Sequence, residues 1–411
     1  MKEYDILELP NGIRVVHKEV THTKVVHCGF VLDTGSRDEL AHELGIAHFW
    51  EHMAFKGTKN RRAFHILNRL EAVGGELNAY TTKEKVCFYA SVLDEHFGKA
   101  FELLTDITFN STFPEKEIVK ERNVILEEMA MYHDTTEDAI QDHFDELVFP
   151  EHPLGYNILG TTDSIAQFQQ DDFLKFIDRT MDPEHLIFSS IGNIPAKKVF
   201  DMAKRYLGDL RPKGTKLDRQ PPSLYEPKRL VVERRDITQA HSVMGMPAPH
   251  FDHPKRLAFF MLVNLLGGPS LNSRLNLSLR EKYGLVYSIE ASFTPYTDAG
   301  QLGFFFATDP ASLKRAEALV IKELRLLKSK KLGPLQLRQT KEQLVGQLAM
   351  GEENNMGLML SVAKVLLDQN RIEPFDQLIK SIRAVTAEEL MAVANEFLIE
   401  EQFSYLTYKP A

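Results

Sequence analysis

Two histidines and a glutamate stand close together in the string HFWEH at residues 48–52. If this string is helical, residues three and four positions apart share one face, so His48, Glu51 and His52 can point toward the same place. Two neutral imidazoles can bind a zinc ion, and the carboxylate beside them can take a proton from a zinc-activated water. The order H-x-x-E-H is the inverted form of a common zinc-protease motif. The string therefore predicts zinc-dependent hydrolysis, with a solvated helix face as the alternative interpretation.

A zinc hydrolase needs a third protein ligand, and the segment 114–129 offers candidates. Pro114 suits the first position of a helix. On that helix Glu121 and Glu128 are two turns apart and project in nearly the same direction, whereas Glu127 is rotated by about 100° from Glu128. The spacing favours Glu128 over Glu127 as the ligand without deciding between them. Glu121 would then lie beside the site and hold the ring N–H of a histidine ligand. The alternative is that all three are ordinary surface glutamates.

These residues and several longer stretches resemble the pitrilysin/insulinase family of metallopeptidases. In particular they resemble its short-chain bacterial type, which is related to the mitochondrial processing peptidase β subunit. The resemblance covers most of the chain, and Glu128 follows His52 at a distance typical of the family. The similar stretches are GIAHFWEHMAFKGT (45–58), GGELNAYT (74–81), LGG (266–268) and REKYGLVYS (280–288).

The resemblance assigns roles to the residues of the predicted metal site. It implies that His48, His52 and Glu128 bind one zinc ion per chain, that Glu51 is the catalytic base and that Glu121 supports the site. The activity it implies is that of a zinc metalloendopeptidase acting on extended or unfolded peptides within an enclosed chamber.

Four further residues are expected to contact the peptide substrate. From the sequence alone, Asn78 and Ala79 belong to an ordinary hairpin strand, Arg280 is a surface cation and Tyr287 is a strand residue. The resemblance implies that Asn78 and Ala79 lie on an edge strand whose free backbone groups pair with an extended peptide. It also implies that Arg280 and Tyr287 reach the carbonyl next to the scissile bond and stabilise the developing oxyanion.

The resemblance also bears on partners. Short-chain members of the family close as clamshells of two subunits, so we expect a homodimer in which Arg280 and Tyr287 come from the partner chain. One alternative is the catalytic subunit of a heterodimeric presequence-processing peptidase. Another is a non-catalytic scaffold subunit of the kind found in the cores of respiratory complexes. Such scaffolds typically lack one or more of the motif residues, all of which are present here.

The elements that must position these residues form two similar halves. The polar, proline-rich segment 213–228 is typical of a linker. We therefore expect a zinc-binding catalytic domain at 1–212 and a homologous domain without zinc at 229–411 that contributes substrate contacts. Each half begins with two strand-like runs and continues with a helix and a hairpin, which predicts an α+β fold with two antiparallel-rich sheets packed with helices. The predicted strands are 13–17, 25–32, 230–233 and 241–246, and the predicted hairpins pair 76–82 with 86–92 and 285–293 with 300–307.

Composition limits the remaining possibilities. The chain has 411 residues, enough for two domains with large cores, and its net charge of −9 argues against nucleic-acid binding. No apolar run approaches the length of a membrane span, and the first residues do not read as a targeting leader. We expect a cytoplasmic enzyme, with a mature form whose leader was removed as the alternative. The two cysteines, Cys28 and Cys87, are expected to be buried thiols rather than a disulfide.

Overall fold

The structure, a computed structural model, describes residues 3–411 of the chain and forms two compact units. The first unit contains the residues up to Ala130, Tyr156–Arg219 and Met350–Ile372. The second contains Met131–Gly155, Gln220–Ala349 and Glu373–Ala411. Each unit is therefore discontinuous in sequence, unlike the continuous division expected from the linker at 213–228.

The first unit is built on a six-stranded sheet. Its strands are β1 (Asp5–Glu8), β2 (Arg14–Glu19), β3 (Val25–Leu32), β4 (Glu76–Thr81), β5 (Val86–Leu93) and β6 (Leu186–Gly192). They lie in the order β1-β2-β6-β3-β5-β4, and only the β2–β6 pair is parallel. Strand β4 is therefore an edge strand, as the resemblance implied, and it forms the predicted hairpin with β5.

The second unit repeats this arrangement with five strands. They are β7 (Arg229–Arg234), β8 (Ala240–Pro247), β9 (Val286–Pro295), β10 (Gly300–Thr308) and β11 (Ser404–Pro410). The order is β7-β11-β8-β10-β9, again with a single parallel pair, β7–β11. Strands β7 to β11 thus correspond one by one to β2 to β6. The predicted α+β class with two related, antiparallel-rich sheets is confirmed.

Helices cover both sheets. They are α1 (Ile46–Met53), α2 (Ala63–Glu71), α3 (Phe97–Phe109), α4 (Glu115–Asp134), α5 (Thr136–Val148), α6 (Thr162–Gln167), α7 (Gln170–Thr180), α8 (Ala196–Leu207), α9 (Arg256–Gly267), α10 (Leu313–Ser329), α11 (Pro334–Glu352), α12 (Asn355–Gln369), α13 (Phe375–Ala384) and α14 (Ala387–Phe397). A π-helical segment, Asn276–Lys282, precedes β9. Helix α9 ends at Gly267 with Gly268 as its C-cap.

The discontinuity of the units follows from how the second face of each sheet is buried. In the first unit, Met359 and Leu366 of α12 pack against strands that include Val31 and Ile187. In the second unit, α5 packs its apolar residues against β8 and β11. Both apolar faces of a sheet must be shielded from water, and here the helix that packs on the second face comes from the other half of the sequence.

Two observations bear on the expectations from composition. Cys28 and Cys87 are buried free thiols, which confirms that they do not form a disulfide. Across residues 3–411, no helix combines the length and the apolar character that crossing a bilayer requires.

Candidate active site

Helix α1 separates its apolar side chains from its chemically active ones. Phe49, Trp50 and Met53 are fully buried in the core of the first unit, as is Ile46. Burying each large apolar side chain contributes about 1.5–3 kcal/mol, so this face of the helix is held firmly against the core. His48, Glu51 and His52 lie on the other side of the helix and therefore face away from this buried apolar face.

The start of α1 is fixed by a buried carboxylate. Glu39 accepts hydrogen bonds from the backbone N–H groups of Gly45 (2.8 Å) and Ala47 (2.9 Å), which the first turn of a helix leaves unpaired. Gly45 has a φ of 91°, and a Cβ at this position would lie 2.5 Å from the Leu159 carbonyl oxygen. Glycine is therefore required for the turn that leads into the helix.

Three side chains from α1 and α4 converge on one point. The His48 Nε2 lies 3.7 Å from Glu128 Oε1, and the His52 Nε2 lies 3.4 Å from Glu128 Oε2. One ligand atom from each of the three lies within 4.8 Å of the others, and no other such group of three occurs among residues 3–411. The adjacent Glu127 is exposed on α4. The structure thus brings together the residues predicted as ligands and separates Glu128 from Glu127.

Glu121 fixes the orientation of one histidine. Its Oε1 lies 3.0 Å from the His52 Nδ1, and its Oε2 lies 2.6 Å from the Lys56 Nζ. The Nδ1–H of His52 donates to this carboxylate, so Nε2 is the ring nitrogen directed toward Glu128 and His48, and its lone pair is free for a metal once its own proton is lost. His48 also turns its Nε2 toward Glu128, while its buried Nδ1 has no hydrogen-bond partner within residues 3–411. Two imidazole nitrogens and a carboxylate in this arrangement fit zinc.

The electrostatics of the group favour the neutral form of His48 and the protonated, charged form of His52. Burial and the neighbouring His52 lower the pKa of His48 to about 4. Burial also opposes charge on His52, but hydrogen bonds to Glu121 and Glu128 outweigh it and raise the pKa of His52 to about 9. The hydrogen bond with His52 lowers the pKa of the Glu128 carboxyl. Metal binding at neutral pH must therefore displace the proton of His52.

Glu51 lies beside the three ligands and is held by a different element. Burial raises the pKa of its carboxyl, and a hydrogen bond from the Thr81 hydroxyl to Oε2 (2.6 Å) partly offsets this effect. A partly desolvated carboxylate is more basic than one in water and can accept a proton from a bound water. Glu51 therefore has the surroundings of a general base.

The predicted substrate contacts lie in both units. Asn78 and Ala79 are on β4, where they pair with Tyr89 and Phe88 of β5. Because β4 is an edge strand, β5 is its only neighbour among the strands that the structure describes. Arg280 and Tyr287 belong to the second unit. There the guanidinium carbon of Arg280 lies 5.6 Å from the centroid of the Tyr287 ring, and Tyr287 is 84% exposed. The roles of these four residues stay predictions.

Sequence reasoning missed three residues of the site. Glu39 caps α1, Lys56 holds Glu121 and Thr81 holds Glu51. Lys56 and Thr81 both stand in stretches that resemble the family, and the position of Thr81 two residues after Ala79 puts it on the same strand face. That alternation was a usable signal. Glu39 gave none, because only the fold shows which backbone groups it meets.

Comparisons with known proteins agree with this geometry. Residues 14–162 match the family model described as "Insulinase (Peptidase family M16)", and residues 167–344 match "Peptidase M16 inactive domain". "Uncharacterized zinc protease YmxG" of Bacillus subtilis is 33% identical over 391 residues, which cover 95% of each chain. "Uncharacterized zinc protease ML0855" of Mycobacterium leprae is 31% identical over 395 residues, which cover 95% of this chain and 88% of that one.

Solved structures show the same fold. A protease from Helicobacter pylori superposes with a TM-score of 0.90 at 23% identity and covers 99% of both chains. A Pseudomonas fluorescens structure described as "peptidase M16 inactive domain" also has a TM-score of 0.90, at 17% identity, and covers 99% of this chain and 98% of that one.

Proposed function

Because this chain belongs to the insulinase family of metallopeptidases, peptidase family M16, we propose that it is a zinc-dependent endopeptidase for extended or unfolded peptides. The observation that carries the proposal is the convergence of His48, His52 and Glu128 beside the half-buried Glu51. The relatives named zinc proteases support zinc as the cofactor. One ion per chain is part of the proposal, in line with the single group of three ligands within residues 3–411.

The ligands and the base have separate tasks in the proposed reaction. His48, His52 and Glu128 would hold the zinc ion, which supplies Lewis acidity for a carbonyl and for water when it is bound. Glu51 accepts a proton from the attacking water and delivers it to the leaving amine. Glu121 keeps His52 in the orientation that directs its Nε2 toward the other ligands. Each task matches the contacts of that side chain.

The edge strand β4 is the proposed place for the peptide. A peptide that adds to the free edge beside Asn78 and Ala79 would be recognised through its backbone, so many sequences would be accepted. Only an extended segment can pair in this way, which favours unfolded chains over folded proteins. Arg280 and Tyr287 would stabilise the oxyanion, and we place them in the partner chain of a homodimer that encloses the peptide.

The main test uses the purified chain expressed alone. We expect it to contain zinc and to cleave a quenched peptide, with activity that a chelator removes and zinc restores. Glu51→Gln should keep the metal and lose turnover by about a hundredfold to ten-thousandfold. Parental turnover by Glu51→Gln would refute the assignment of the base. Activity that requires a second gene product would favour the heterodimeric processing peptidase, and a chain without metal or activity would favour the scaffold.

A mixing experiment tests the composite site. Glu51→Gln and Arg280→Ala should each be inactive alone. If Arg280 acts in the partner chain, a mixed dimer keeps one intact site, so an equal mixture that exchanges subunits regains about a quarter of the parental activity. If Arg280 acts in its own chain, no site in the mixture is intact and activity stays absent. Mass measurement of the parent gives the subunit number.

We also place this activity in the cytoplasm. Cys28 and Cys87 are free, buried thiols, as is usual for proteins of reducing compartments. Cell fractionation with an antibody to the chain tests the location, and recovery in an exported fraction would contradict it.

A further inference from the structure

One hydrogen bond joins the proposed base to the proposed peptide-binding strand. The Thr81 Oγ1 donates to the Glu51 Oε2 over 2.6 Å. No other side chain within residues 3–411 hydrogen-bonds this carboxylate. Its second oxygen, Oε1, therefore keeps its lone pairs available for a proton.

The fold determines the direction of the Thr81 hydroxyl. Thr81 ends β4, and alternation along the strand puts its side chain on the face that carries Leu77 and Ala79, which pack against the core around α1. Tyr80 points to the other face and packs in the cluster formed with α12. Because threonine is branched at Cβ, few rotations about its first side-chain bond are available. The hydroxyl is thus aimed at α1 by the strand itself.

The backbone on either side of Thr81 is also fixed. Thr81 pairs with Val86 at the end of the β4–β5 ladder. The turn that follows closes with a hydrogen bond from the Thr82 N–H to the Lys85 carbonyl (2.8 Å), and the Arg37 N–H donates to the Lys83 carbonyl (2.7 Å). The anchor of the hydroxyl therefore does not depend on a mobile loop.

We propose that Thr81 is a positioning residue that orients the Glu51 carboxylate and fixes it relative to the strand that receives the peptide. This inference rests on the proposed function, in which Glu51 is the base. The last torsion of a glutamate side chain is broad, so an unheld carboxylate samples many orientations. By holding Oε2, Thr81 leaves Oε1 as the oxygen that accepts the proton. It also fixes the position of Oε1 relative to β4.

The test compares variants that differ in the hydroxyl. Thr81→Val keeps the shape and removes the hydroxyl, whereas Thr81→Ser keeps the hydroxyl. We expect Thr81→Val to bind parental amounts of zinc, to change KM by less than about twofold, and to lower kcat by about tenfold to a hundredfold, the range for a misplaced catalytic group. Thr81→Ser should recover most of kcat. The hydroxyl of Thr105, which is buried in α3 and donates to the Phe101 carbonyl, provides the matched control Thr105→Val, for which parental kcat is expected.

The outcomes separate this inference from the proposed function. If Glu51→Gln is inactive while Thr81→Val turns over like the parent, the positioning role is wrong and the base assignment stands. If Glu51→Gln is active, both are wrong. Loss of zinc, a higher KM at unchanged kcat, or failure of Thr81→Ser to restore kcat would each overturn the role of the hydroxyl. Thr81→Ala also lacks the hydroxyl and replaces Thr81→Val if that variant does not fold.

Discussion

Replacing Glu121 by glutamine tests how much the orientation of His52 contributes to metal binding. Glu121 is buried and accepts from two donors, the His52 Nδ1–H (3.0 Å) and the Lys56 ammonium (2.6 Å). A glutamine offers one acceptor oxygen and one NH2 donor. Whichever way the amide turns, either His52 or Lys56 faces the NH2 group of the glutamine, which donates and cannot accept.

The magnitude follows from that lost interaction. With zinc bound, His52 is neutral, so the amide oxygen should remain with the charged Lys56, because a hydrogen bond from a charged group is the stronger of the two. The His52 Nδ1–H then loses its partner, and an unsatisfied buried donor costs about 1–3 kcal/mol. Since roughly 1.4 kcal/mol corresponds to a factor of ten, zinc binding should weaken by about tenfold to a hundredfold.

The assay is a competition titration of the zinc-free protein with zinc and a chromophoric chelator, at one fixed pH. Glu127→Gln is the matched control, because it makes the same chemical change on the same helix at an exposed position next to Glu128. We expect the control to bind zinc like the parent. If Glu121→Gln binds zinc as tightly as the control, Glu121 does not hold His52 in its binding orientation, and the reasoning from the two donors is refuted.

Three other predictions concern stability and metal. Glu39→Ala removes the acceptor for the Gly45 and Ala47 N–H groups and should lower the free energy of unfolding by about 1–2 kcal/mol in urea titrations; an unchanged midpoint would contradict the capping role. Burial lowers the pKa of His17, so the folded state favours its neutral form, and the free energy of unfolding should fall as the pH decreases below 6.5. His17→Gln should flatten that pH dependence. Equal slopes of unfolding free energy against pH in the variant and the parent would contradict the role of His17. Removing zinc by dialysis against a chelator should lower the melting temperature, and adding zinc should restore it in proportion to the logarithm of its concentration, whereas a melting temperature independent of zinc would contradict the site.

Much of the fold could be predicted because local periodicity carries it. The helix at α1, the strands β2, β3, β7 and β8, and the two hairpins each follow from apolar spacing within a short stretch of sequence. The pairing of distant strands could not be predicted in this way. Strand β6 lies between β2 and β3, and β11 lies between β7 and β8, although the inserted strands come much later in the chain.

The sequence by itself determined the chemistry of the site. Helical spacing alone puts His48, Glu51 and His52 on one face, because the backbone geometry of a helix does not depend on the rest of the protein. Only the tertiary structure decided which carboxylate meets them, since Glu127 and Glu128 differ by one helical step and the packing of α4 sets which one points inward. It also decided that Thr81 holds Glu51 and that α5 and α12 cover sheets of the opposite sequence halves. Such contacts join residues far apart in the chain, and they are fixed by burying the apolar surface of the whole protein at once rather than by any local pattern.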